Sequence, residues 1–199
     1  MSEPDETPET DTAPAVERGE PRGGADDRRT GTRGRTLAVL LGLAALVLVA
    51  DQLTKIWAES ALVAGGAAEP LLGELVQLRL VYNPGAALSI ASGMTWVLTL
   101  LSAVVVVIIL VTARRVRTMS WAVALGMVLG GAVGNLLDRL FRDPGFPTGH
   151  VVDFIDYGPF VGNVADIAIV GAAVLITVLA FVGVGPEGRT DETDEEADA

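Results

Sequence analysis

Residues 151–166 read VVDFIDYGPFVGNVAD and set Asp153, Asp156 and Asp166, with one amide at Asn163, beside some of the most apolar stretches of the chain. Carboxylates at a membrane edge are costly and usually functional. An apolar surround raises a carboxylate's pKa, and a second carboxylate beside it raises one of the two further. Two acids that share one proton can divide the hydrolysis of a peptide bond. The ionised one takes a proton from water, and the protonated one donates to the carbonyl and then to the leaving amine. Spacing leaves open whether Asp153 or Asp156 partners Asp166. A plainer reading also exists for Asp166. Asn163 is a plausible helix N-cap, and an acid three residues later lies in the first turn, where the helix dipole favours an anion.

Other polar groups punctuate the apolar runs. Asp51 and Lys55, in DQLTK, are spaced i,i+4 and can pair across one helical turn. The plain reading is an interfacial ion pair whose lysine snorkels outward; the functional one is a pair that organises the bundle end near a site. In GMVLGGAVGNLLDRL, Gly126, Gly130 and Gly134 share one helical face and let helices approach closely. Asn135, Asp138 and Arg139 follow on one patch, where Arg139 is expected to hold Asp138 ionised as a structural acid. The single histidine, His150, reads as incidental in a polar loop.

The elements that must position these groups are membrane helices. The chain has 199 residues, half of them apolar, with a mean hydropathy of +0.47. Residues 94–113, 118–137 and 167–186 each run without Asp, Glu, Lys or Arg, and residues 36–50 form a fourth such run. About 20 apolar residues cross a hydrocarbon core. The expected fold is therefore an all-α membrane protein with four transmembrane helices, at about 36–58, 94–113, 118–140 and 163–184. The first run follows some 35 polar residues and lacks a clear small-residue cleavage site, which favours a retained helix over a signal peptide. LVQLRLVYN alternates loosely between apolar and polar, so one or two short strands are expected between the first and second helices. The helical domain spans 36–184. Segments 1–35 and 185–199, rich in acids, Pro, Gly and Thr, read as disordered tails.

Net charge is −11, of which the two tails carry −3 and −6. Acidity is thus a property of the tails. Arg28, Arg29, Arg33 and Arg35 precede the first span, and Arg114, Arg115 and Arg117 lie between the second and third. Lys and Arg near span ends favour the cytoplasm. Both termini then face inward, and the acids outside the tails lie at the outer face. With no cysteine and one histidine, no thiol chemistry, ordinary zinc site, metal or cofactor is expected. The arginines show no aromatic interleaving, so no nucleic-acid partner is expected.

Taken in order, DQLTK (51–55), NPGAAL (83–88), GGAVGNLLDRL (130–140), VVDFID (151–156) and NVAD (163–166) resemble the motifs of lipoprotein signal peptidase, the type II signal peptidase of bacteria. The resemblance covers roughly residues 36–184. It implies an aspartic endopeptidase of the bacterial cytoplasmic membrane. Such an enzyme removes signal peptides from prolipoproteins, cutting before a cysteine that carries a diacylglyceryl group, so its partners are those substrates and membrane lipid. It implies Asp153 and Asp166 as the catalytic pair. Asp51, Lys55, Asn83, Gly85, Asn135, Asp138, Arg139 and Asn163 are implied as supporting or substrate-binding residues. Leu88 and Gly162 stand where the family usually has aromatic residues. The 138–153 stretch is long and the 153–166 stretch short, which bears on pocket walls and loop shape. The alternative is a small proton-coupled transporter using the same aspartates, although such proteins place their sites near mid-membrane and between repeated halves, and no internal repeat is found.

Overall fold

The structure, a computed structural model, describes residues 24–85 and 94–189. Four helices carry the fold: α1 (Gly24–Ala61), α2 (Thr95–Ala113), α3 (Met119–Phe141) and α4 (Val164–Phe181). Four candidate spans follow from them: Arg33–Ala61, Thr95–Ala113, Met119–Phe141 and Val164–Phe181. Six strands complete the described residues: β1 (Glu69–Leu72), β2 (Val76–Asn83), β3 (Val151–Asp156), β4 (Val161–Gly162), β5 (Val184–Gly185) and β6 (Gly188–Arg189).

Helix α3 is the centre of the bundle. Half of its apolar window is buried against protein, compared with about a fifth for the other three spans. Its small residues explain this. A Cβ on Gly126 would come within 2.7 Å of the Leu40 carbonyl oxygen, and one on Gly130 within 2.6 Å of the Ala44 oxygen. On another face, a Cβ on Gly131 would lie 2.7 Å from the Ala165 oxygen of α4. Backbone thus meets backbone on two sides, as close helix packing in lipid requires. Leu40, Ala44, Ile109, Ala113, Val116, Ala122, Leu125 and Leu129 close the core near one end. The outward faces carry exposed Leu46, Val49, Leu53, Val107, Ile108, Val170 and Val174. Such a surface suits lipid rather than water.

The expected sheet between the first two helices is present as β1 and β2, and it extends further than the sequence reading proposed. The order is β1-β2-β3-β4, antiparallel throughout. The segment Val151–Asp156, for which no strand is expected from the sequence, is strand β3, paired to β2 from Gln77↔Asp156 to Asn83↔Val151. Ala58 of α1 packs with Leu80, Val152 and Phe154 in a second apolar cluster beneath the sheet. Trp57 meets Phe154 edge-on, with centroids 6.2 Å apart.

Helical backbone already starts at Gly24, ahead of the boundary at 36 drawn from the sequence. At the other terminus β5 and β6 form a hairpin at 184–189, where an acidic tail had been drawn from 185. The hairpin is tied to the α2–α3 turn by Arg117 N–H to the Pro186 oxygen (2.9 Å) and Trp121 Nε1–H to the Val184 oxygen (2.7 Å). The remaining tail residues, 1–23 and 190–199, and Leu88 lie outside the described residues.

Candidate active site

Strand geometry separates the two acids that the sequence left equivalent. Side chains alternate across a strand, so Asp153 and Asp156, three apart in β3, face opposite sides. Asp156 pairs with Arg79 Nε at 3.0 Å and accepts the Gly158 N–H at 2.8 Å, which makes it a turn-forming acid. Asp153 faces Asn83 and Asn163. It accepts Asn83 Nδ2–H on Oδ2 at 2.7 Å and Asn163 Nδ2–H on Oδ1 at 2.6 Å. It is 2% exposed. Burial pushes its pKa up to about 6; the Asn83 bond opposes the rise, and the charge of Asp166 adds to it.

Asp166 reaches the same place from α4. Asn163 caps the helix, its Oδ1 accepting the Asp166 N–H at 3.1 Å, and Asp166 Oδ2 accepts the Asn163 N–H at 3.1 Å. This reciprocal capping box anchors the side chain at the positive end of the helix. Oδ1 of Asp166 accepts Asn135 Nδ2–H at 3.1 Å. The two readings of Asp166 are therefore compatible. One oxygen caps the helix, and the other joins the polar cluster. Gly162 contributes space: a Cβ there would lie 2.9 Å from Asp166 Oδ2. Tyr157 is near enough that burial, and then the Asp166 charge, raise its pKa.

Two amides connect the acids. Asn163 Nδ2 also donates to Asn135 Oδ1 at 3.1 Å, so a continuous chain runs Asp153–Asn163–Asn135–Asp166. Lys55 fixes which way the Asn135 amide points, because its ammonium donates to the same Oδ1 at 3.0 Å. Lys55 does not snorkel. It is 0% exposed and bridges Asp51 Oδ2 (2.8 Å) and Asp138 Oδ2 (2.7 Å), so all three of its protons are used. Asp51 in turn accepts the Ala165 N–H at 3.0 Å, joining α1 to the start of α4. Gly134 leaves the room that this carboxylate fills, since a Cβ there would meet Asp51 Oδ2 at 2.5 Å.

The sequence expectation that Arg139 holds Asp138 ionised needs correction. Adjacent helical residues do not face each other. Asp138 instead takes Lys55, Arg142 Nε (2.7 Å) and the Val152 N–H (3.2 Å). Arg139 donates from Nη1 to the Asn135 carbonyl oxygen at 3.2 Å and feels the charges of Asp153, Asp138 and Asp166. Its Nε is buried without a hydrogen-bond partner among the described residues. A guanidinium beside both acids can meet a polar group that enters the site. Gly85 holds φ +96°, donates its N–H to Asn83 Oδ1 at 2.8 Å, and would clash through any Cβ with Leu98 Cδ1. It thereby orients the amide that bonds Asp153.

Sequence reasoning missed Gln52, Glu59 and Arg142. Gln52 Nε2 lies within hydrogen-bond distance of Asp51 Oδ2 (3.2 Å) and Asp138 Oδ1 (3.3 Å). Glu59 and Arg142 form a close pair at the rim. The signal was available: Asp51, Lys55 and Glu59 recur every four residues. His150 lies apart, lining a cavity of about 480 Å³ with Glu59, Tyr82, Phe141, Arg142 and Asp143.

All these groups gather where α1 ends, α3 ends and α4 begins, which is one end of the bundle. A transporter with acids at mid-span does not fit this placement.

Comparisons with known proteins agree. A family model described as signal peptidase (SPase) II matches residues 43–182. The chain is 50% identical over 151 residues to a lipoprotein signal peptidase of Rhodococcus jostii, covering 75% of this chain and 76% of the relative. A lipoprotein signal peptidase of Mycobacterium avium is 48% identical over 167 residues, covering 82% and 91%. A solved bacterial membrane enzyme shares the fold at a TM-score of 0.63 and 24% identity, covering 75% of this chain and 88% of that one.

Proposed function

Because the chain belongs to the signal peptidase II family, and is an aspartic peptidase that cleaves signal peptides from prolipoproteins, we propose that Asp153 and Asp166 are its catalytic pair. The observation that carries the reading is the amide chain Asp153–Asn163–Asn135–Asp166, which places two acids from separate elements around one point.

The pair holds one proton between them. Burial favours Asp153 as its holder. Asp166 is the base, since it sits in the first turn of α4, where the helix dipole favours an anion. Asp166 takes a proton from water, and the oxygen attacks the scissile carbonyl carbon. Asp153 gives its proton to the carbonyl oxygen, forming a tetrahedral diol. Collapse of the diol breaks the C–N bond as a proton passes to the leaving amine, and the pair returns to one proton. Asn83 and Asn163 hold Asp153 in place, Asn135 holds Asp166, and Arg139 receives a substrate carbonyl. Asp51, Lys55 and Asp138 brace the amides from behind.

The substrate is a diacylglyceryl-modified prolipoprotein, cut before the modified cysteine and entering sideways from lipid. Strands β1 and β2 form the platform over it, where Leu71, Leu72 and Leu75 are exposed to meet the membrane surface. The membrane is the bacterial cytoplasmic membrane. Exposed Arg33, Arg35, Arg114, Arg115 and Arg117 lie at the end of the bundle away from the pair, which supports a reading with that end in the cytoplasm and the pair at the outer face.

The test is reconstitution with a diacylglyceryl-modified prolipoprotein, followed by its size shift. Wild type is expected to cleave, and Asp153→Asn and Asp166→Asn are each expected to abolish cleavage. Cleavage that persists in either variant rejects the pair.

A further inference from the structure

Behind the acids runs a ladder of alternating charge. Helix α1 presents Asp51, Lys55 and Glu59 on one face, and α3 presents Asn135, Asp138 and Arg142 opposite it. The contacts step from rim to site. Glu59 accepts Arg142 Nη1 at 2.6 Å on both oxygens, Arg142 Nε donates to Asp138 at 2.7 Å, and Lys55 joins Asp138, Asp51 and Asn135. Asn135 then donates to Asp166.

The charges show what Arg142 adds. Asp51, Lys55 and Asp138 alone leave an excess negative charge in a region 0–1% exposed. Arg142 brings these four groups to neutrality, and Glu59 at the rim returns the ladder to a net charge of −1. Arg142 is 21% exposed and brings its cation in from the rim, where its bonds to Glu59 and Asp138 offset the cost of its burial. We propose that Arg142, set by Glu59, is a positioning residue for the reaction, fixing the charge behind Asn135 and hence the pH at which the pair holds its shared proton. This rests on Asp153 and Asp166 being the catalytic pair. Arg142 touches neither acid; it acts through Asp138, Lys55 and Asn135.

The charged and titratable groups near Asn135 and Asp166 come from every surrounding element: Asp51 and Lys55 from α1, Asp138 and Arg139 from α3, Asp153 from β3, and Tyr157 from the loop after it. Arg142 and Glu59 are themselves faced by Tyr82 of β2 and by Asp143 and His150 of the loop after α3. Arg142 changes the net charge of the set around Asn135 without touching either acid. Its removal adds a net negative charge, which disfavours ionisation of nearby carboxylates and raises their pKa. Removal of the Glu59 charge does the reverse. A unit charge roughly 10 Å away moves a carboxylate by about 0.3–1.2 pH units between effective dielectrics of about 80 and 20.

The experiment measures kcat/KM against pH for reconstituted wild type, Arg142→Gln, Arg142→Lys and Glu59→Gln, with Asp153→Asn and Asp166→Asn alongside. Arg142→Gln is expected to move the alkaline limb up by about 0.3–1.2 pH units. Glu59→Gln should move it down, and Arg142→Lys should restore the wild-type limb. A purely structural role would lower stability and leave the limb in place. Should Arg142→Gln fail to fold, the downward shift in Glu59→Gln still supports the proposal, and an unmoved or upward limb overturns it. Unmoved limbs in an enzyme silenced by Asp153→Asn and Asp166→Asn overturn the role of Arg142 alone. Cleavage by those two variants overturns the catalytic pair, and this inference with it.

Discussion

Lys55→Met probes the buried ion cluster most directly. Methionine keeps the length of the stem and removes the ammonium, whose three protons go to Asp51, Asp138 and Asn135. The two carboxylates lose unequally. Asp138 keeps Arg142 at 2.7 Å and the Val152 N–H at 3.2 Å. Asp51 keeps only neutral donors, Ala165 N–H at 3.0 Å and Gln52 at 3.2 Å, and it is 0% exposed. The cost therefore falls on Asp51. Removing one partner of a buried pair costs about 3–5 kcal/mol, because the other charge stays buried. For a chain of this size each kcal/mol moves the thermal midpoint by roughly 2–4 °C, so a drop of about 6–20 °C is expected. Thermal unfolding in detergent, followed by tryptophan fluorescence, measures it, with Trp57 packed on Phe154 as a reporter. The double variant Asp51→Asn/Lys55→Met removes both charges and should recover most of the loss. A single variant that melts with the wild type, or a double variant worse than the single, refutes the reasoning.

Asn83→Ala should move the alkaline limb of kcat/KM. The wild-type limb is expected near pH 6, where Asp153 loses its proton. The Asn83 bond stabilises the ionised form, so its loss raises the Asp153 pKa and shifts the limb upward by about 1–2 pH units, read from a pH–rate profile. Gly130→Ala should destabilise by about 1–3 kcal/mol in denaturant titration, because the new Cβ meets the Ala44 backbone oxygen. Gly42→Ala meets no atom within 4 Å and should instead stabilise by up to about 1 kcal/mol. Chelation by EDTA should leave the cleavage rate unchanged, since two carboxylates and water suffice for the chemistry.

Length and hydropathy made the four helices legible, and the Gly126, Gly130 and Gly134 spacing disclosed the close face of α3. The capping box could be read from Asn163 and Asp166 because its partners are local in sequence. Strand β3 was harder to read. VVDFID lacks clean alternation, since five of its six residues are buried on one side or the other, and its pairing partner lies some 70 residues earlier. Without that strand, residue types and spacing do not separate Asp153 from Asp156, and only the motif resemblance singles out Asp153. The depth of Lys55 was also hidden. Snorkelling and burial share the same i,i+4 spacing, and the deciding partners, Asn135 and Asp138, lie on another helix. Arg139 was assigned to Asp138 by adjacency, whereas the helical turn hands that acid to Arg142.

The antiparallel seam between β2 and β3 stitches together two connections that enter the fold far apart in synthesis. Asn83 arrives with the first of them, Asp153 with the second, and Asp166 only once the last helix is seated. A nascent chain halted before that final insertion holds one acid at most in its working surroundings. On the proposed pairing, the chemistry waits for that last helix.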